Sequence, residues 1–264
     1  MPVDLGLEGK RALVLASSRG LGLAIARSLA AEGVSVIICG RNAERLKAAA
    51  QQLPAGSGGS MHAITFDLVD RDSVARFLDA ADARLGGVDI LVNNTGGPPP
   101  GPVVAVGQQV WLNQFETMVL RIFEITGHFL PGMLERKWGR VLTILSSGVV
   151  QPIPNLGISN AMRATLIAWS KTLAGEVASS GVTVNAVIPG RIQTERVDEL
   201  DAAAADRQGT TREEIAQQSR TTIPVGRYGT AEEFAAVATF LASARASYVT
   251  GAAVRVDGGL IRAI

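Results

Sequence analysis

The sequence predicts one doubly wound α/β domain, a parallel sheet with helices on both faces and right-handed crossovers. Three observations point there. Short β-type runs alternate with helical patterns from end to end. Most of those runs are nearly continuous in apolar residues, the pattern of strands covered on both faces. The 264 residues, 47% apolar but only 5% aromatic, suffice for one large core built mainly from Ala, Val, Leu and Ile.

The strands are expected at 11–16, 34–39, 61–66, 89–93, 140–145, 182–188 and 252–256. After the first, Leu21, Ile25 and Leu29 recur at helical spacing. Asn42 is placed to cap a helix running to Leu53, and Thr230 with Glu233 forms a capping box ahead of a helix over 234–241. Thr211 with Glu214 repeats that signal. The segment 54–60 reads as a flexible surface connection. The segment 96–102, with four prolines, reads as a stiff loop just past a strand's C-terminal end, where ligands bind in such sheets. No repeat and no linker divides the chain, so 1–264 is expected to be one domain.

Net charge is +1 with no basic block and no acidic tail, which gives no electrostatic case for nucleic acid or an anionic membrane. The single cysteine, Cys39, excludes an internal disulfide framework and fits a reducing cytoplasm. Its place at the end of an apolar run favours a buried small hydrophobe over a reactive thiol. Asp4 and Glu8 stand early, with no basic stretch followed by an apolar one, so no signal peptide is expected. No apolar run reaches the length of a membrane span. The expectation is a cytoplasmic protein that acts on a small molecule, with no metal, nucleic-acid or membrane partner.

The first strand leads into Ala16-Ser17-Ser18-Arg19-Gly20-Leu21-Gly22 and then at once into a helix. Glycines there let the backbone approach a pyrophosphate, and the helix N-terminus offers free N–H groups and a partial positive charge. A Gly-x-Gly turn also arises from strand–helix packing alone. Its position at the first βα junction favours the nucleotide reading.

The turn resembles the T-G-x-x-x-G-x-G of the short-chain dehydrogenase/reductase family, with Leu15 and Ala16 in place of the Thr and first Gly. Further matches follow in order along the chain. Asp67-Leu68 ends the third strand, where the family holds the adenine ring. Asn93-Asn94-Thr95-Gly96 resembles its N-N-A-G. Pro189-Gly190-Arg191-Ile192-Gln193-Thr194 resembles its P-G-x-x-x-T beside the nicotinamide. Thr250-Gly251 through Val256-Asp257-Gly258-Gly259 resembles its closing T-G-x-x-x-x-V-D-G-G. The resemblance implies a Rossmann-type fold with a seven-stranded parallel sheet. It places the cofactor on these segments together with Arg41 and Arg163.

Cofactor choice follows from charge. NAD-selective sites carry an acid at the end of the second strand to accept from the ribose 2′-OH. Here Gly40 stands in that position, followed by Arg41. A guanidinium binds a 2′-phosphate that an acid would repel, so NADP(H) is expected over NAD(H). Arg19 is a second candidate for the same phosphate. Two surface arginines near a helix start are the competing reading.

In the family, a Ser follows a Gly-Arg-started fifth strand, a Tyr comes thirteen residues later, and a Lys four residues beyond that. Counted from Gly139-Arg140, these positions hold Ser146, Ser159 and Arg163. Met118, in Phe115-Glu116-Thr117-Met118, stands where the family has a helix Asn. A Tyr phenol beside a cation can exchange protons near neutral pH, whereas a serine hydroxyl is far weaker and a guanidinium stays protonated. Ser146 and Ser159 still offer hydrogen bonds to a substrate oxygen, and Arg163 still offers its donors to a ribose. Tyr228 and Tyr248 fall in segments that resemble structural parts of the family. His62 starts a strand, His128 suits a core or interface role, and Glu195 is the one carboxylate shortlisted as a substitute acid.

Three readings remain. One is a reductase of a small carbonyl or an activated C=C bond, such as an enone, where polarising the oxygen matters more than a strong acid. Another is a weakly catalytic NADP(H)-binding sensor or scaffold. The third is a non-redox enzyme, since halohydrin dehalogenases carry Arg in place of the Lys; they keep the Tyr and abandon the nucleotide turn, the reverse of this pattern. Family resemblance also implies a homodimer or homotetramer through the helix holding Met118 and the helix after Ser159. Leu166, Trp169 and Leu173 fit such a face and fit a core equally. The substrate loop is expected at about 195–222.

Overall fold

The computed structural model describes residues 4–53 and 58–263. Among them the strands β1 (Arg11–Val14), β2 (Ser35–Gly40), β3 (Ser60–Thr65), β4 (Ile90–Asn93), β5 (Gly139–Ile144), β6 (Val182–Pro189) and β7 (Ala253–Val256) form one sheet. Their order is β3-β2-β1-β4-β5-β6-β7, and every pairing is parallel. Interior strands are buried along their length, and β5 buries all six residues. The edge strands β3 and β7 alternate instead, because one side of each lacks a neighbour.

Helices cover both faces. Helices α1 (Gly20–Ala31), α2 (Ala43–Ala50) and α9 (Ala231–Ala242) bury Ile25, Leu29, Leu46 and Phe234 on one face. Helices α3 (Arg71–Leu85), α4 (Gln108–Phe115), α5 (Arg121–Glu135) and α6 (Gly157–Val177) cover the other. There Phe77, Ile125, Phe129 and Leu166 fill the core. Leu166 and Leu173 belong to that core, and Trp169 packs on Phe123 with ring centroids 4.7 Å apart. Phe234 is fully buried, and its truncation to Ala would cost about 3–5 kcal/mol.

The expected capping signals are used as read. Asn42 accepts from the Arg45 N–H at 2.8 Å. Thr230–Glu233 and Thr211–Glu214 both close reciprocal boxes, the latter on α8 (Arg212–Thr222). Several boundaries differ from expectation. The second helix stops at Ala50, not Leu53, because Pro54 disfavours helical backbone at the residue before it. The expected connection 54–60 loses Ser60 to β3, and 54–57 lie outside the described residues. The first strand ends at Val14, not residue 16, because Ala16 turns the chain with φ of 46°.

The largest difference is at 195–222, expected as a substrate loop. It folds as two helices, α7 (Glu195–Gln208) and α8. Thr194 caps α7, the Ala202–Ala205 run favours helix, and Gly209 ends it in the left-handed conformation. The strand order reverses between β1 and β4. Ligands bind beside such a switch point, at the C-terminal ends of the strands, and α7 reaches this end through Arg19 and Pro98.

Candidate active site

The turn after β1 is shaped for a phosphate. Helix α1 begins with no side-chain cap and no acid in its first turn, so its leading N–H groups are free to meet an anion. Gly20 has φ of 57°, a conformation that suits glycine. Gly22 is held closely: a Cβ there would stand 2.8 Å from the Ala16 carbonyl and 3.0 Å from Asn94 Nδ2. The Asn94 amide in turn donates to the Leu15 and Ala16 carbonyls, each at 3.2 Å, and so ties the segment after β4 to the turn. Ser17 is buried; its hydroxyl donates to Val14 O at 2.6 Å and accepts from the Cys39 N–H at 2.9 Å. Thr95 Oγ1, buried just past β4, has no partner among the described residues. These features fit a dinucleotide: free helix N–H groups, a backbone open to close approach, and an unsatisfied hydroxyl.

At the end of β2, a Cβ on Gly40 would meet Ser18 Oγ at 3.3 Å, so any larger residue would press on the turn. Arg41 follows and is exposed. Arg19 is not idle. Its guanidinium is bonded to Glu195 and lies 3.4 Å from Glu199, both on α7. Arg45, on α2, reaches Glu195 at 3.6 Å. Sequence reasoning did not single out Arg45 or Glu199, and no local pattern marks either. Asp67 folds back on its own loop, accepting from the Val69 N–H at 3.1 Å. Leu68 supplies a carbonyl to Arg121 Nε at 3.1 Å. Pro189 and Gly190 continue from β6 toward Ile192 and Thr194. Gly190 is a second close approach, where a Cβ would stand 2.6 Å from Asp257 Cα.

Ser146 follows β5 and accepts from the Gly148 N–H at 3.2 Å. Ser159 and Arg163 lie one turn apart on α6, on its buried side. Arg163 Nη1 donates to the Ile144 carbonyl at the end of β5, at 2.7 Å. That bond brings α6 to the strand end from which Ser146 departs. Burial first, and then the charge of Arg196, pushes the Arg163 guanidinium down to about 10. It therefore remains a cation through the neutral range. Met118 is buried within a π-helical turn, Glu116–Leu120, that joins α4 to α5. Such turns recur at functional sites.

The substitute acids considered from sequence are committed elsewhere. Glu195 pairs with Arg19 and Arg45 and is held below the usual carboxylate range chiefly by its bond to Arg19, so it is a poor proton donor. That corrects its place on the shortlist. Tyr228 donates to Asp201 Oδ2 at 2.8 Å, and burial raises it. Tyr248 is fully exposed. His62 is the third residue of β3 and meets Ser60 and Arg84. His128 is not a core residue: it is exposed on α5 and contacts Asp82 Oδ2 at 2.6 Å. Cys39 is buried as expected, and desolvation pushes its thiol up to about 12.

A doubly wound parallel sheet with a phosphate-shaped first turn and polar groups past β4, β5 and β6 defines a dinucleotide-binding protein of the Rossmann type. The match can be drawn more closely. A family model described as enoyl-(acyl carrier protein) reductase matches residues 15–261. The 3-oxoacyl-(acyl-carrier-protein) reductase of Aquifex aeolicus is 36% identical over 260 residues, 98% of this chain and 100% of that protein. The L-sorbose reductase of Gluconobacter frateurii, solved with NADPH and L-sorbose, superposes with a TM-score of 0.92 at 31% identity, covering 99% of this chain and 100% of its own. YwfH, an NADPH-dependent reductase involved in bacilysin biosynthesis, superposes with a TM-score of 0.90 at 28% identity, covering 97% and 99%. The chain belongs to the short-chain dehydrogenase/reductase family.

Proposed function

We propose that this protein is an NADP(H)-dependent reductase of a small carbonyl or activated C=C compound, working with a non-standard site in which Ser159 and Arg163 stand in the family's Tyr and Lys positions. The observation that carries the reading is the Arg163–Ile144 bond, which sets Arg163 and Ser159 on the turn of α6 beside the strand that delivers Ser146. The similarity to NADPH-dependent reductases across nearly the whole chain supports it.

Bound NADPH would supply a hydride. The chain's own groups do the rest. The Gly20–Gly22 turn and the N-terminus of α1 hold the pyrophosphate, and Arg163 offers its remaining donors to ribose hydroxyls. Ser146 and Ser159 donate to the substrate oxygen and stabilise negative charge gathering there. For an enone, that charge is an enolate, which water protonates at carbon. For a plain ketone it is an alkoxide, which needs a proton from a group this site lacks. Enones are therefore the better substrates. Arg41 favours the 2′-phosphate of NADPH, Arg19 can join it only by leaving Glu195 and Glu199, and Gly40 leaves no acid to hold the 2′-OH of NADH.

The test is NADPH oxidation over matched small enones and ketones, together with cofactor titration by fluorescence. Enone turnover with little ketone turnover is expected. Arg41→Ala should weaken NADPH by about 1.5–3 kcal/mol, the range for a hydrogen bond to a charged group, and leave NADH unchanged. Equal affinity of the unmodified protein for NADPH and NADH would sink the cofactor assignment. Cofactor binding without turnover of any compound would favour a sensor or scaffold, a reading the lack of a neutral-range acid at the site also supports.

A further inference from the structure

One cation in the crevice is not explained by cofactor binding or by the serines. Arg196 lies in the first turn of α7. Its Nη2 donates to the Pro98 carbonyl at 2.8 Å, and the guanidinium covers Gly97, where a Cβ would stand 3.0 Å from that nitrogen. The contact draws α7 against the proline-rich segment that follows β4. Arg163 is anchored in the same way at the end of the neighbouring strand β5. Two guanidinium groups thus stand at the C-terminal ends of adjacent strands, close enough that the charge of Arg196 adds to burial in pressing on Arg163.

No carboxylate is dedicated to this pair. Among the described residues, none forms an ion pair with Arg163. Arg196 has only Glu199, at 3.3 Å, and Glu199 is half exposed and shared with Arg19. Elsewhere in the fold Arg11 and Arg136 close on Asp89 and Arg191 closes on the buried Asp201, whereas the buried Arg140 bonds only carbonyls but lies over the Trp138 ring. Like charges held together beside a substrate crevice, without an acid between them, favour an anion from outside. The segment that continues from Pro98 is apolar and meets the start of α6. Gly101 bridges to Leu156, Val103 packs on Gly157 closely enough to forbid any side chain there, and Val103 and Val104 remain exposed.

We propose that Arg196 anchors a carboxylate on the substrate, so that the site takes small oxo- or enone-carboxylates with a short apolar body in preference to neutral carbonyl compounds. This rests on the reading of the crevice as an NADP(H)-dependent reductase site. The planar fork of Arg196 suits a carboxylate, and the field of Arg163 adds to the attraction. Ser146 and Ser159 are left to the oxygen that gathers charge. Arg196 is a specificity-determining residue, not one that moves a proton.

The experiment compares 4-oxo-2-pentenoate and 4-oxopentanoate with their methyl esters, in the wild type, Arg196→Gln and Arg196→Lys. The wild type should prefer acid to ester by about tenfold to a hundredfold in kcat/KM, as expected for a charge-assisted hydrogen bond. Arg196→Gln should bring the ratio near one, mostly through KM for the acid, with NADPH affinity unchanged. Arg196→Lys should keep part of the preference, and it stands in if the Gln variant does not fold. Calorimetric titration of 4-oxopentanoate and its ester into the NADP⁺ complex separates this proposal from the reading beneath it. Acid-selective binding that requires Arg196, without turnover of any compound, keeps the anchor and overturns the reductase. Equal handling of acid and ester by the wild type, or an acid preference that survives Arg196→Gln, overturns the anchor even where reduction proceeds.

Discussion

The two ends of the sheet treat charge in opposite ways. At the N-terminal end, Asp89 sits just ahead of β4 and is gripped by Arg11 at 2.7 Å and Arg136 at 3.1 Å. Beside it Arg140, buried, donates to the carbonyls of Ser243 and Gly139, and Trp138 lies between Lys10 and Arg140 with centroid distances of 4.2 and 4.4 Å. Each cation there has a carboxylate, a carbonyl or a ring. At the C-terminal end, Arg163 and Arg196 each have a carbonyl but no dedicated acid, and among the described residues Asn93 Oδ1 and Thr95 Oγ1 have no partner. At the first end one buried hydroxyl, Thr183 Oγ1, also lacks a partner among the described residues, but the cations are met by the chain itself. The second end has the unpaired polar groups expected where a bound group serves function.

The largest effect expected at either end is on stability. Asp89→Ala strands two guanidinium groups and should cost about 3 kcal/mol, the low end for a broken buried pair because Arg11 and Arg136 reach solvent. Burial alone would raise the Asp89 carboxyl, but Arg11 and then Arg136 outweigh it and hold it low. A carboxyl depressed on folding adds stability above its unfolded value, near ~3.9, and loses it as pH falls through the folded one. Urea melts should therefore show wild type losing this margin below about pH 4, whereas the variant has none to lose. A loss below about 1 kcal/mol at pH 7 would mean that the paired end is no stronger than an ordinary surface.

The opposite end should respond in rate. Ser159→Tyr with Arg163→Lys installs a phenol and a cation that lowers it, and ketone reduction should rise by about 10²-fold, the low end for general acid catalysis because Met118 remains. Ser159→Tyr alone should give less. A wild type that already reduces plain ketones at ordinary rates would reveal an acid that the structure has not assigned. Arg163→Lys alone probes burial. The desolvation that lowers Arg163 would push a lysine at this position below its usual range. NADPH affinity should then be flat from about pH 7 to 9 in wild type but decline toward about pH 9 in the variant, as the neutral amine takes over. A flat profile in both would place residue 163 away from the ribose.

The seven strand positions, both capping boxes and the Asn42 cap were legible because each depends on neighbours in sequence: apolar runs, and oxygen-bearing side chains three residues from a free N–H. Positions Ser146, Ser159 and Arg163 were legible as spacing. What stayed hidden depends on which distant elements meet. Nothing in Thr194-Glu195-Arg196 says that Glu195 turns to Arg19 while its neighbour turns to Pro98, because that division is set when α7 packs across the crevice. Within 195–222 only the start of α8 was signalled, by its capping box; α7 was missed because the region is rich in charge and lacks a wide apolar stripe, and it packs mainly through a small cluster around Val197, Ala216, Ile223 and Tyr228.

The smallest effect expected concerns backbone at the open end. Ala16 occupies the place where the family carries its first glycine, and its φ of 46° lies in the left-handed region. An L-residue there costs roughly 1–2 kcal/mol, against about 0.5–1 kcal/mol for the greater entropy glycine loses on folding. Ala16→Gly should therefore raise stability by up to about 1 kcal/mol, read as a shift of the urea midpoint with the slope unchanged. The Ala16 carbonyl accepts from Asn94 Nδ2, so a relaxed turn keeps the tie between β1 and β4, and NADPH affinity should hold or improve slightly. Unfolding at lower urea would mean that the Ala16 methyl contributes packing worth more than the strain. Higher stability with weaker NADPH binding would mean instead that the strained alanine helps to hold the turn in its phosphate-binding shape.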